Sequence, residues 1–301
     1  MIQPSAIQSQ KTPDVLVIGA GVFGLWAARH AILAGKRVCV LEKRTVGAGA
    51  SGGFLGALMP HMPDRWNARK QFQFDALASL PEAVARLEAD TGLVCGSRRC
   101  GRLVPIGHEK TLDVVARRIR GAVTHWQGRF AMTRLDRSDE AWPAGWPDAP
   151  QAPFGLQFDD LSARIDPRAY LAALRAFVTT GGALHEGVEV VRLEPGRAVL
   201  ADGAVIAAGK IVVAAGWEAY PLLQPFMGGM AANPGGPVGR GVKGQAMLLE
   251  LAHGDELPIV YGEGVYVVPH DGNRVAIGST ARDDWDEPAS FEPTDTAFHA
   301  R

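Results

Sequence analysis

The sequence predicts a two-domain α/β protein (α+β overall), and three observations support that fold class. The chain of 301 residues is long enough for two domains of about 150 residues each. Near its start, an apolar run, a glycine-rich turn, a helical segment and a second apolar run follow one another, which is the order of a parallel βαβ unit. Beyond residue 180, short apolar runs of strand length recur, and we expect the second domain to contain a mixed, largely antiparallel sheet.

The N-terminal unit is the best-defined part of the pattern. Val15–Ile18 is a continuous apolar run bounded by glycine, as expected for a strand buried on both faces. Leu25–Ala34 has helical composition, and Gly35 is a good C-terminal stop for that helix. Val38–Leu41 is a second buried strand, which ends at Glu42.

The later elements are predicted in the same way. Asn67–Thr91 indicates a helix with an irregularity at Pro81, and Glu109–Trp126 contains a more basic helix. The stretch Glu140–Pro153 is crowded with Pro and Trp and is a candidate crossing between domains. Asp166-Pro167 begins a helix over Arg168–Thr179. Gly228–Gly244 is a long loop, and strands are predicted at Val188–Leu193, Ala198–Leu200, Lys210–Ala214, Met247–Leu251, Gly264–Pro269 and Arg274–Gly278.

Composition and charge exclude several classes of protein. Apolar residues make up 47% of the chain and charged residues 21%, as in ordinary soluble domains. The 31 Lys and Arg residues are balanced by 32 Asp and Glu residues, which argues against a nucleic-acid-binding protein. Cys39, Cys95 and Cys100 form no CxxC pair and the histidines have no metal-ligand spacing, so we expect no metal site. Without a signal peptide or membrane span in the pattern, we expect a cytoplasmic protein.

Gly19, Gly21 and Gly24 form a GxGxxG pattern between the first strand and the first helix. The first glycine makes the tight turn, the second lets backbone approach a pyrophosphate, and the third lets the helix pack on the strand. Glu42 lies 18 residues past Gly24, at the end of the next strand, where it can accept hydrogen bonds from ribose hydroxyls. These features together predict a Rossmann-like dinucleotide-binding site on the helix N-terminus.

A second glycine-rich segment follows at Gly47–Gly56, where seven of ten residues are Gly or Ala. Its GASGG sequence matches the GxSxG elbow of serine hydrolases, but that elbow needs the serine at a strand end. Here the preceding strand ends at Glu42, nine residues before Ser51. A loop that cradles phosphate or a flavin edge fits better, because consecutive small residues expose their backbone N–H groups.

Two other sites have simple structural interpretations by themselves. Val212–Gly216 is an apolar strand that ends in a small-residue turn, and an ordinary buried strand is as good an interpretation as a binding site. Tyr266 lies in a strand with alternating exposure, where a half-buried core tyrosine is the more common situation.

Taken in order along the chain, these motifs resemble those of the FAD-dependent D-amino-acid oxidase superfamily, and most closely its bacterial glycine oxidase branch. The resemblance covers nearly the whole chain. It is carried by the GxGxxG turn, Leu41-Glu42-Lys43, the GASGG loop, Asp166-Pro167, Ala214-Ala215-Gly216 and the run from Tyr266 to Gly278.

The resemblance implies a bound FAD. The ADP half would lie on the glycine turn with its ribose on Glu42, the GASGG loop would pass the pyrophosphate towards the isoalloxazine, and the strand at Val188 would meet the adenine. In relatives the tyrosine that matches Tyr266 reaches the substrate carboxylate. The residues assigned to FAD in this way are Gly19, Gly21, Val22, Phe23, Gly24, Glu42, Lys43, Ala50, Ser51, Gly52, Gly56, Ala57, Val188, Ala215 and Gly216.

The implied domains are a discontinuous FAD-binding domain of residues 11–75, 155–222 and 269–301, and a substrate domain of residues 76–154 and 223–268. The implied reaction is oxidation of the C–N bond of a small amino acid or amine by hydride transfer to flavin N5. The electrons then pass to oxygen or another acceptor. The sequence leaves open whether the protein forms an oligomer.

Two alternatives remain open at this point. One is an amine dehydrogenase or a tRNA-modification-type flavin oxidase that acts on a methyl-linked secondary amine, although the net charge of -1 weakens the tRNA version. The other is a truncated flavin-binding remnant without activity. Relatives continue past the position of Arg301 into a Gly-Leu-Arg-Pro-type motif that binds the substrate carboxylate, whereas this chain stops at Phe298–Arg301, inside a predicted helix.

Overall fold

The structure is a computed structural model that describes residues 11–140, 142–143, 145–227, 237–254 and 256–285. The predicted helix at Phe298–Arg301 and part of the predicted loop Gly228–Gly244 lie outside these residues. The helices are α1 (Val22–Leu33), α2 (Ala68–Thr91), α3 (Leu112–His125), α4 (Pro167–Gly181) and α5 (Ala219–Leu223). The strands are β1 (Val15–Ile18), β2 (Val38–Glu42), β3 (Ala57–Leu58), β4 (Arg102–Pro105), β5 (Met132–Leu135), β6 (Leu156–Asp159), β7 (Ala163–Arg164), β8 (Ala183–Glu186), β9 (Val190–Glu194), β10 (Arg197–Leu200), β11 (Val205–Ala207), β12 (Lys210–Val213), β13 (Ala246–Glu250), β14 (Ile259–Gly262), β15 (Val265–His270) and β16 (Arg274–Gly278).

These elements divide into two units. Unit 1 consists of the described residues within Met1–Gly53, Leu87–Leu93 and Arg168–Val242. Unit 2 consists of those within Phe54–Arg86, Val94–Pro167 and Lys243–Arg301. Within the described residues, no helix combines the length and apolar character that a membrane-spanning segment needs.

Unit 1 is built on a four-stranded parallel sheet with the strand order β12-β1-β2-β8. Its central strands β1 and β2 are apolar at successive positions, as the sequence predicts for strands that are covered on both faces. Leu16 and Leu41 project from one face into a core that also contains Ala198, Leu200 and Ile206 of the small antiparallel sheet β11-β10-β9. The predicted Rossmann-like arrangement is confirmed.

The edge strand β8 has no clear signal in the sequence. It follows directly on the end of α4 and contains only four residues, one of them His185. Its register is set by pairing with β2, in which His185 lies opposite Leu41. His185 is therefore carried into the core, where it is only 8% exposed.

His185 predicts a pH dependence of stability. Neither of its ring nitrogens has a hydrogen-bond partner among the described residues, and burial lowers its pKa below the ordinary 6.5. Below that pH the unfolded chain binds a proton that the folded chain does not, so the free energy of unfolding falls as the pH falls. We expect His185→Leu to reduce this loss by up to about 1.4 kcal/mol per pH unit between about pH 7.5 and about pH 5.5 in urea titrations.

The exposed His108 provides the matched control for this measurement. His108→Gln is expected to leave the pH dependence unchanged, because this imidazole is exposed to solvent in the folded chain as it is in the unfolded chain. A slope in His185→Leu equal to that of the wild type would contradict the prediction.

Unit 2 is built on a seven-stranded sheet, here called sheet C, with the strand order β13-β16-β15-β14-β4-β6-β5. Its neighbouring strands are antiparallel except for β14 and β4, which run parallel. The expected mixed, largely antiparallel sheet is therefore confirmed. Strands β4 and β6 have no clear sequence signal, since each carries a charged residue, Arg102 and Asp159, at a buried position.

The segment rich in Pro and Trp lies inside unit 2, not at a crossing between units. Trp142 and Trp146 pack against a buried cluster that contains Leu103 and Leu156. The indole N–H of Trp146 donates to the carbonyl oxygen of Pro258 at 2.8 Å. The aromatic rings of this segment are thus part of the core of unit 2.

The boundaries of the two units differ from those of the domain segments that the resemblance implies. Those domain segments stay a prediction. Strand pairing explains the differences. Ala57 and Leu58 pair with β7, which keeps 54–58 and 163–167 in unit 2. Strands β15 and β16 pair with each other and with β13 and β14, so 265–278 also belong to unit 2.

Candidate cofactor-binding site

A cleft of about 950 Å³ opens in unit 1 at the carboxyl ends of β1, β2 and β12. Ligands of open parallel sheets bind at this edge, where the connecting loops diverge. Residues from five segments line the cleft: Ile18–Phe23 (in part), Leu41–Arg44, Ala48–Ser51, Val188–Val191 and Val212–Leu222 (in part).

The glycine turn at the base of the cleft tolerates no side chain at its first and third glycines. Gly19 has φ +100°, and a Cβ there would lie 2.5 Å from the carbonyl oxygen of Ala214. A Cβ on Gly24 would lie 1.9 Å from the carbonyl oxygen of Gly19. The turn and the first turn of α1 are therefore in direct backbone contact, as the dinucleotide fingerprint requires.

The N-terminus of α1 points its N–H groups towards the second glycine-rich loop. Gly21 is the N-cap of α1 and supplies no side chain, and the Val22 N–H donates to Oγ of Ser51 at 3.1 Å. Ser51 belongs to a short 3₁₀ turn, Ala50–Gly52. The two loops predicted to bind the cofactor are thus joined at the site where a phosphate would meet the helix dipole.

Glu42 is held at the end of β2 by two backbone donors. Its Oε2 accepts from the Ala20 N–H at 2.8 Å, and its Oε1 accepts from the Arg44 N–H at 2.9 Å. A carboxylate has about four lone-pair sites, so this geometry orients the group and still leaves acceptors for ribose hydroxyls.

Charged side chains form ion pairs at the rim of the cleft. Lys43 Nζ lies 3.1 Å from Glu189, and Arg44 lies 3.1 Å from Glu218. The hydrogen bond to Glu189 raises the pKa of Lys43. Glu189 and Glu218 balance the charges of Lys43 and Arg44, and only folding brings these acids close to the two cations.

The structure brings most of the predicted cofactor residues together. Ten of them line the cleft: Gly19, Gly21, Phe23, Glu42, Lys43, Ala50, Ser51, Val188, Ala215 and Gly216. Val22 and Gly24 belong to α1 and do not line the cleft, and Gly52 packs against Gly47. Gly56 and Ala57 belong to unit 2. Binding of the cofactor by these residues stays a prediction.

The sequence did not predict several residues that line the cleft, among them Trp217, Glu218 and Glu189. Trp217 and Glu218 follow the small-residue turn Ala215-Gly216 directly. Because they follow the end of β12, which lies at the same edge of the sheet as the ends of β1 and β2, their position in the sequence could have identified them. Glu189 had no such signal, because its place depends on the path of the chain between β8 and β9.

Tyr266 lies on β15 in unit 2, opposite Tyr261 of β14. The two rings have centroids 4.6 Å apart at 38°. Burial and the neighbouring Tyr261 raise the pKa of Tyr266, so its phenol stays protonated near neutral pH. The ring packs beside a buried cluster of Ile259, Val268 and Ala276.

The same sheet carries a buried ion pair that the sequence did not reveal. Arg102 lies 2.7 Å from Oδ2 of Asp159, and both side chains are almost fully buried. The other oxygen of Asp159 accepts from the N–H and hydroxyl of Ser162 at 2.9 and 2.6 Å. Asp159 is thus satisfied on both oxygens, which is the condition for a stable buried charge.

The residues of the cleft fit FAD. The two glycine positions leave a cradle that a Cβ would fill, the α1 N-terminus favours the negative charge of a pyrophosphate, and Glu42 is oriented for a ribose. In the described part of the chain, no group of three or more His, Cys, Asp or Glu side chains could hold a metal ion.

Comparison with known proteins identifies relatives that cover most of this chain. The chain is 28% identical over 306 residues to the bifunctional protein ThiO/ThiG of Synechocystis, across 92% of this chain and 40% of that protein. It is 26% identical over 276 residues to glycine oxidase of Geobacillus kaustophilus, across 89% of this chain and 70% of that protein. The chain therefore spans less than half of the first relative and about two thirds of the second.

Solved structures share the fold. The crystal structure of glycine oxidase from Geobacillus kaustophilus matches with a TM-score of 0.78 at 22% identity, over 92% of this chain and 74% of that one. Iminodiacetate oxidase from Chelativorans matches with a TM-score of 0.73 at 24% identity, over 89% and 72% of the two chains.

One family covers almost the whole sequence. The family described as DAO, FAD dependent oxidoreductase, matches residues 14–300. This range includes the glycine turn, Glu42, the GASGG loop and Tyr266. The chain belongs to the DAO family of FAD dependent oxidoreductases, whose cofactor is FAD.

Proposed function

We propose that this protein oxidises the C–N bond of a small amino acid or amine. The observation that carries the proposal is the cleft of unit 1, in which the glycine turn and the oriented Glu42 fit FAD. Relatives named glycine oxidase and iminodiacetate oxidase support an amine substrate. FAD, when bound, supplies the acceptor for the two electrons and the hydrogen of the α-carbon.

The residues of unit 1 bind and orient the cofactor in this proposal. The N–H groups of the Gly19–Gly24 turn and of the α1 N-terminus bind the pyrophosphate, and Glu42 binds the ribose. Ala50 and Ser51 extend the same row of small residues along the cofactor. The hydrogen bond that Ser51 Oγ accepts from the Val22 N–H of α1 is already in place, so binding requires little reorganisation of the loops.

Tyr266 of unit 2 is proposed to bind the carboxylate of the substrate. Its phenol stays protonated near neutral pH because burial raises its pKa, so the O–H can donate a charge-assisted hydrogen bond. A substrate that binds as the free amine needs no strong general base, because its nitrogen carries no extra proton to remove. The protein then acts chiefly by positioning the substrate and excluding water.

Anaerobic reduction of the bound flavin tests this proposal. We expect glycine, D-alanine or N-methylglycine to bleach the visible flavin absorbance of the full chain loaded with FAD. Tyr266→Phe is expected to raise KM for amino acids by about tenfold to hundredfold, because a hydrogen bond to a charged group contributes about 1.5–3 kcal/mol. Its KM for an amine without a carboxylate should change little.

Tyr220→Phe, in unit 1, serves as the matched control. Tyr220 is not among the residues that line the cleft, so the substitution should leave these constants unchanged. Uptake of oxygen during turnover would identify an oxidase, whereas reduction without oxygen uptake would identify a dehydrogenase. A bound flavin that no amine reduces would contradict the proposed function.

A further inference from the structure

His270 is a buried polar residue that the proposed function does not yet use. It is the last residue of β15 and is 2% exposed. Alternation along the strand places it on the same face of sheet C as Tyr266 and Val268. Its Nε2 lies 3.0 Å from the carbonyl oxygen of Phe54 and 3.1 Å from that of Leu55.

The hydrogen bonds define the state of the ring. A carbonyl oxygen only accepts, so Nε2 must carry the hydrogen and shares it between the Phe54 and Leu55 carbonyls. Nδ1 is buried and has no hydrogen-bond partner among the described residues. Burial lowers the pKa of His270, so the ring is neutral near pH 7 and donates from Nε2 alone.

The segment bound by His270 lies over the face of sheet C that carries Tyr266. The side chains of Phe54 and Leu55 pack on the same buried cluster as Tyr266. Further along, Gly56 has φ +58° and its carbonyl oxygen accepts from the Ile165 N–H at 3.0 Å. The downstream end is thus fixed by backbone contacts, while the two preceding carbonyls are fixed by the imidazole.

We propose that His270 is a positioning residue for amine oxidation, which fixes Phe54 and Leu55 against sheet C so that they and Tyr266 form one rigid wall of the substrate site. The inference rests on the proposed function. His270 does not touch the substrate in this arrangement. It acts through the two peptide carbonyls, and loss of its N–H would remove the hydrogen bond that both accept from the ring.

Two substitutions separate the hydrogen bond from the volume of the ring. His270→Gln places an amide N–H near the position of Nε2 and can still donate to the two carbonyls. His270→Leu fills similar space without a donor. Val275→Ala is the matched control, because Val275 is 1% exposed and lies on the opposite face of the same sheet, opposite Pro269 in the ladder.

The experiment combines hydrogen exchange with kinetics on the full chain loaded with FAD. In His270→Leu we expect amide exchange in 54–57 to rise by about tenfold or more, and kcat/KM for the best amine to fall by about tenfold or more. His270→Gln should stay within about threefold of the wild type in both. Val275→Ala should lower stability without changing exchange in 54–57.

Each outcome decides the inference. Wild-type exchange in His270→Leu would overturn it, and so would a His270→Gln protein that behaves like His270→Leu. Faster exchange with an unchanged kcat/KM would overturn the positioning role. If the wild type oxidises no amine, the proposed function and the positioning role both fail, while exchange still decides whether His270 holds the segment.

Discussion

Replacing Gly24 with alanine is expected to yield a protein that purifies without flavin. The added Cβ would lie 1.9 Å from the carbonyl oxygen of Gly19 and 3.3 Å from a methyl group of Val17. The nearest atom belongs to the backbone, so the clash cannot be relieved by a side-chain rotation. Helix α1 must move away from β1, and its N–H groups then lose their position in the cleft.

The expected size of this effect follows from the cost of overpacking, which is about 1–3 kcal/mol in well-packed interiors. We expect the displacement of α1 to cost a similar amount of FAD-binding free energy, which is a drop in affinity of about tenfold to hundredfold. Titration of the apoprotein with FAD, followed by the visible spectrum, measures the change. Gly107→Ala is the matched control, since a Cβ there meets no atom within 4 Å. Wild-type FAD affinity in Gly24→Ala would refute the prediction.

Replacing Arg102 with methionine is expected to lower the free energy of unfolding by about 3–5 kcal/mol. The reason is the charge that would remain. Asp159 is fully buried and its Oδ2 is bound by Arg102. Without the guanidinium, a carboxylate stays in the core with no opposite charge at that oxygen.

A second substitution tests this explanation. Asp159→Asn removes the buried charge and keeps an oxygen for the Ser162 N–H and hydroxyl, so Arg102→Met/Asp159→Asn should recover most of the loss. Urea unfolding followed by tryptophan fluorescence provides the measurement.

The exposed pair Arg86 and Glu82 gives the control for the Arg102 experiment. Both side chains are about 70% exposed, and Arg86→Met should change stability by less than about 1 kcal/mol. A loss in Arg102→Met no larger than that of Arg86→Met would show that burial of Asp159 does not have the expected effect.

Local patterns in the sequence were sufficient for the βαβ unit. Strands β1 and β2 were predicted within one residue of their observed bounds, since a strand buried on both faces must be apolar throughout. The glycine turn was predictable because the contact that requires its third glycine joins Gly24 to Gly19, only five residues away. The position of Glu42 followed from the end of β2. These features depend on neighbours in the chain.

Strands β4 and β6 of sheet C show where local sequence patterns fail to predict a strand. Strand β4 carries Arg102 at a buried position, and by itself a charged residue argues against burial. The position becomes favourable only because antiparallel pairing with β6 places Asp159 opposite Arg102. The prediction for Glu140–Pro153 failed for the converse reason, since its prolines are typical of a linker while Trp142 and Trp146 pack in the core.

By itself, the sequence determined the fold class, the parallel unit that carries the cleft and ten of the residues that line it. Only the tertiary structure decided the partners of the buried charges and of His270, the acids at the rim of the cleft and the division of the chain into units. The physical reason is separation along the chain. His270 and Phe54 are 216 residues apart, and a polar residue can be buried at such a site only when folding brings its partner to it.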